Sequence, residues 1–112
     1  MNTQIDPHKT NSVRLAELLT DEFIFGDRNH YINSKWAEEL IRRGEEAIPH
    51  IGSHLKSIEQ KMEKLLAMKD REEVEQGWIS LLCKIVRVKK INMAILVTNY
   101  QQWVNWAFNF RP

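Results

Sequence analysis

Apolar residues recur every three or four positions at Ile48, Ile51, Leu55, Ile58, Met62 and Leu65. At about 3.6 residues per turn, this spacing lays one stripe along a helix. His50, Lys56, Glu59, Gln60, Lys61, Glu63 and Lys64 flank the stripe. The seam is too short for a free-standing coiled coil, so it predicts a helix packed inside a bundle. Pro49 fits only the first turn of that helix, where its missing N–H goes unused. A shorter helix is predicted just before it. Asn33 or Ser34 caps its start, and Trp36, Ala37, Leu40 and Ile41 share one face opposite Lys35, Glu38, Arg42 and Arg43. Glu38 with Arg42 and Glu39 with Arg43 are acid-to-base pairs four residues apart, and Gly44 supplies a left-handed stop. Residues 34–66 thus predict an antiparallel helix pair.

The flanking pattern is weaker. Ser12 caps a short predicted helix through Val13, Ala16, Leu18 and Leu19, ending near Thr20 and Asp21. Phe23, Ile24 and Phe25 then anchor a turn at Gly26-Asp27-Arg28-Asn29. Asp70 and Glu73 have the spacing of a capping signal before a stripe of Val74, Trp78, Leu81, Leu82 and Ile85. Between Cys83 and Val97 the β-branched residues admit two readings. One is a strand or short hairpin over residues 85–97; the other is a helix ending in a short connection at Val88–Asn92. A last helix then carries Met93, Leu96, Val97, Tyr100, Trp103, Val104 and Ala107. The expected core joins Trp36, Leu40, Ile51, Leu55, Trp78, Leu82, Val97 and Trp103.

With 112 residues the chain fits one domain. Residues 1–11 are polar and aperiodic and read as a flexible N-terminal arm, leaving 12–112 as a single helical domain. Hydrophobic residues at 43% and charged residues at 28% describe an ordinary globular composition. The polar N-terminus lacks a signal-peptide pattern and no segment is apolar enough to span a bilayer, so the expectation is a cytoplasmic protein without a membrane partner. The net charge of +1 conceals a division. All fifteen acids lie in residues 1–76, whereas residues 77–112 hold five bases and no acid. Such a division either pairs the two surfaces internally or offers a basic face to an acidic partner.

At Gly44-Glu45-Glu46-Ala47-Ile48-Pro49, followed by Ile51 and Leu55, the chain resembles the inter-helix turn of HEAT-type repeats. There one helix ends at glycine and the next begins with an Ala-Ile-Pro step; Ser34 to Ile41 corresponds to the first helix. The wider arrangement resembles a group of small uncharacterised bacterial helical proteins. Trp78 with Leu82-Cys83-Lys84-Ile85 matches their third helix, and Trp103-Val104-Asn105-Trp106 matches their last. The likeness covers residues 33–107 with two departures. Val86-Arg87-Val88-Lys89-Lys90 stands where the group has a Thr-Gly turn, and Ala107 replaces a glycine. The resemblance implies an all-α, compact HEAT-like bundle of four to five helices in antiparallel pairs. It implies no catalytic residue.

The chemistry-bearing residues point the same way. His50 and His54 lie one turn apart, a metal-gripping spacing with His30, Glu46 or Cys83 as a third ligand. Without a His-Glu-x-x-His pattern, however, they read as surface residues. Cys83 sits among Leu81, Leu82 and Ile85 and reads as a core thiol. No phosphate-cradling loop or serine elbow occurs, so neither enzyme nor cofactor is expected. Lys84, Arg87, Lys89 and Lys90, with aromatic residues near them in sequence, give one candidate partner-binding set, suited to nucleic acid. Trp106, Phe108 and Phe110 lie off the last stripe and give another. Either they fold back on Phe23-Ile24-Phe25, or they meet a second copy in a homodimer. The expected function is a non-catalytic protein-binding module, an inhibitor or immunity-type protein acting on another protein. The alternative is a nucleic-acid-associated protein using its basic C-terminal third.

Overall fold

The computed structural model describes residues 5–25, 34–93 and 97–112. Among them are five α-helices: α1 (Ser12–Phe25), α2 (Lys35–Arg43), α3 (Ile48–Leu65), α4 (Met68–Lys89) and α5 (Tyr100–Phe108). Short 3₁₀ turns occupy Pro7–Lys9 and Gly44–Glu46, and the described residues contain no strand. The protein is all-α. No helix among the described residues is long and apolar enough to cross a membrane.

Helix α1 runs past the expected stop at Thr20 because its buried stripe does. Leu15, Leu19 and Phe23 are spaced four apart and all buried, and Ala16 and Thr20 complete the face. Asn11 performs the capping expected of Ser12, its Oδ1 accepting from the Arg14 amide at 2.8 Å. Ser34 caps α2 as expected, accepting from the Trp36 and Ala37 amides. Gly44 ends that helix at φ +61°, and Pro49 lies in the first turn of α3. The intervening turn hands the two helices to different neighbours. Helix α2 packs chiefly on α1 and α4, while α3 packs chiefly on α5 and α1. The pairing expected for residues 34–66 is therefore not the main contact of either helix.

Helix α4 begins at Met68, two residues before the predicted signal, so Asp70 falls within its first turn and Ala67 caps without a side-chain bond. Residues 85–89 are helical, and Lys90 closes the helix in the left-handed region at φ 54°. Burial of Ile85 outweighs the strand preference of its neighbours. Helix α5 starts later than predicted. Asn99 and Gln102 form a capping box there, leaving Met93 and Val97 in the preceding connection. Leu96 lies outside the described residues, as does the expected turn at 26–29.

One core joins all five helices. Trp36, Leu40, Ile51, Leu55, Trp78, Leu82 and Trp103 are buried as expected, and Val97 is half-buried. Phe23 meets Trp78 edge to face at 5.7 Å, anchoring α1 on α4. Along the α3 seam Ile48, Ile51, Leu55 and Met62 are buried, Ile58 is half-buried, and Leu65 emerges into solvent.

Candidate functional site

Helices α1 and α3 leave a groove of about 530 Å³ between them. Residues that meet along it ascend together. Val13, Glu17 and His50 share the neighbouring depression, Thr20 meets His54, and Ile24 and Phe25 share walls with Ile58 and Leu65. The walls are apolar toward the C-terminal ends, through Ile24, Phe25, Ile58, Met62, Leu65 and Leu66. Arg14, Glu17, Asp21 and Lys61 supply the charged margin. At the mouth, Phe25 is 84% exposed and Leu65 66%, and Met68, just beyond Leu66, is also 66% exposed. Large apolar side chains this bare, gathered about one concavity, are the least ordinary feature of the surface.

His54 lies on the floor at only 5% exposure, a correction to its reading as a surface residue. Its Nε2 pairs with Thr20 Oγ1 at 2.9 Å, tying α3 to α1. Burial pushes its pKa below the usual imidazole value, and the nearby charges of Glu17 and Asp21 pull the other way. His50, one turn earlier, is exposed, so the two imidazoles do not converge. Among the described residues no group of three or more His, Cys, Asp or Glu side chains is placed to hold a metal.

The two candidate sets from the sequence lie elsewhere. Lys84 and Arg87 are three residues apart on the exposed side of α4. Lys89 is five residues from Lys84, about 140° around the helix. Its aliphatic chain crosses Gly44 so closely that a β-carbon there would sit 2.9 Å from Lys89 Cγ and Cε. Lys90 is the left-handed cap. The four cations therefore do not share one face, and the rings of Trp78 and Trp103 are buried in the core. On α5, Trp106 packs edge to face on Trp103 at 5.5 Å and lies 5.2 Å from the Phe110 ring. Phe108 is 41% exposed, with Lys56 Nζ over its ring at 4.4 Å. The aromatic tail thus packs on itself and on α3, while Phe23 turns to Trp78.

Three further polar features surround the core. Glu39 is buried and accepts from Arg42 and from Arg43 Nε at 2.8 Å, with His8 Nδ1 at 3.0 Å. Arg43 also donates to the Pro7 carbonyl at 2.9 Å and to Ser12 Oγ at 3.1 Å, fastening the N-terminal 3₁₀ turn to α2. A shallower depression brings Glu59, Glu63 and Glu75 beside Tyr100, with Arg71 3.8 Å from both Glu63 and Glu75. Burial pushes up the pKa values of Tyr100 and Glu75. Cys83 is half-buried and free; burial raises its thiol pKa against the pull of Arg87, which keeps it a poor nucleophile.

Sequence reasoning missed the groove. Its one sequence signal was Phe25, a large apolar residue two beyond the last core position of α1. No protein-family model, no curated protein and no solved structure matches this chain.

Proposed function

We propose that this protein is a non-catalytic protein-binding module whose docking surface is the groove between α1 and α3. The observation that carries the reading is the bare apolar mouth formed by Phe25, Leu65 and Met68 around the groove. Covering such side chains releases water at roughly 25 cal/mol per Å² of apolar surface, the usual driving force of protein association. The floor supports it as well. The Thr20 hydroxyl is already paired with His54 Nε2, so an apolar occupant can cover it without stranding that hydroxyl.

Capture by the immobilised full chain tests the proposal. Three baits are compared: the parent, Phe25→Ser with Leu65→Ser, and Lys84→Glu with Arg87→Glu, each first shown to melt like the parent. A protein retained by the parent and the cationic variant, and lost from the groove variant, is the expected result. Equal retention by the groove variant, or loss only with the cationic variant, overturns the groove as the docking surface.

A further inference from the structure

We infer that His54 is a proton-operated switch on the α1–α3 groove: the neutral ring forms its floor, and the charged ring turns outward into the groove and displaces an apolar occupant. The inference rests on the docking role proposed above and names the regulation of that site.

The floor suits only a neutral ring. His54 is buried at a junction of three helices, its Nε2 2.9 Å from Thr20 Oγ1 on α1 and its ring 6.2 Å from that of Trp78 on α4. Among the described residues Thr20 is the one hydrogen-bond partner of the ring. In the tautomer whose Nε2–H donates to Thr20, a neutral ring has its single N–H met. A charged ring carries two N–H groups, and the second is stranded together with the charge.

The groove gives the charged ring an outlet. Glu17 and Asp21 stand on the α1 wall, three residues before Thr20 and one after it, both exposed, and their charges favour the protonated ring. The opposing cations are Arg14, which pairs with Glu17 at 3.3 Å, and Lys61, about two turns beyond His54 on α3. His50, one turn before it, is exposed. Helix α4 meets the ring with Trp78, and α5 carries no charged residue. Burial and the two carboxylates therefore pull the ring in opposite directions, and its protonation decides which wins. An apolar occupant seals the space into which the charged ring turns, so occupant and proton exclude each other.

NMR signals of the histidine rings and side-chain methyls of the full chain, followed from about pH 7.5 to about pH 4.5, test the switch. The expected result is that His54 titrates below 6.5 and that the Ile24, Ile58 and Met62 methyls on the groove walls move with the same midpoint, while far-UV ellipticity holds. Glu17→Gln with Asp21→Asn, both at exposed positions, moves the two titrations together to lower pH. Groove methyls that ignore the His54 titration overturn the switch, as does a ring that takes its proton only when the helices melt. The neutral apolar dye Nile red probes the docking surface. It binds the parent at about pH 7.5 and weakens by about tenfold for each pH unit below the His54 midpoint, since only the neutral floor accepts it. Binding is lost in Phe25→Ser with Leu65→Ser and becomes independent of pH in His54→Gln. Dye that needs the groove residues but binds the parent equally at both ends of the range overturns the switch and leaves the docking surface intact. Dye indifferent to the groove variant defeats the docking surface, and the methyl titration then decides the switch alone.

Discussion

Burying a carboxylate costs several kcal/mol unless its lone pairs are met, and at Glu39 they are met by Arg42, Arg43 and His8. The Arg42 hydrogen bond leads, with Arg43 assisting against burial, and holds the Glu39 pKa at about 2, down from 4.5. An acid whose pKa is lowered by folding stabilises the native state fully above its unfolded value, and this is lost as pH falls from 4.5 toward 2. Urea unfolding of the parent should therefore weaken over that window more steeply than that of Glu39→Gln. At neutral pH the variant should be less stable by about 3 kcal/mol, because Arg43 keeps its buried place without its counter-charge. Equal acid slopes would remove Glu39 from the account. His54 has the opposite polarity. Burial lowers its pKa from 6.5, so the native state prefers the neutral ring and stability declines as pH drops below 6.5. His54→Gln should flatten the stability profile between pH 7 and about 5.5; an unchanged profile assigns that titration to another group.

Two helices can approach closely only where side chains leave room, and α3 meets α5 at Gly52. A β-carbon placed there would lie 2.2 Å from the Phe108 amide nitrogen and 2.5 Å from its Cα. On an exposed helix, Gly→Ala gains about 1 kcal/mol from propensity alone. Here the collision is with backbone, which cannot rotate aside, so Gly52→Ala should cost at least about 3 kcal/mol and push α5 outward. Thermal melts read the first effect, and the fluorescence of Trp103 and Trp106 reads the second. A stabilised variant would mean that the two helices are not in contact. The element boundaries follow the same reasoning. Pro49, Gly44 and Ser34 stand where local chemistry puts them, so the ends of α2 and the start of α3 were legible. The end of α1 was not, because Phe23 extends the helix by packing on Trp78, a residue 55 positions away.

A single continuous core spans all the helices, so unfolding should be one cooperative event. Denaturation followed by tryptophan fluorescence and by far-UV ellipticity should give coincident curves. Leu55→Ala, at a fully buried site, should displace both by about 2–5 kcal/mol. Separate transitions would divide the molecule into independent units. The same core decides which aromatic residues stay at the surface. Trp78 and Trp103 are consumed by packing, and Phe25, outside every stripe, is left at the surface. Its indole N–H unpaired among the described residues, Trp78 shows how far volume outranks hydrogen bonding at the centre.

The sequence by itself determined the helical class, the break at Gly44 and Pro49, and nearly all of the core. Periodicity, caps and backbone preferences act within a few residues, so they can be read along the chain. Which helix lies against which, the buried site of Glu39, the Thr20–His54 link and the groove beside Phe25 were decided only by tertiary structure. Each depends on residues from distant segments meeting in space. Their energy comes from desolvation and close packing, and neither exists until the helices have come together.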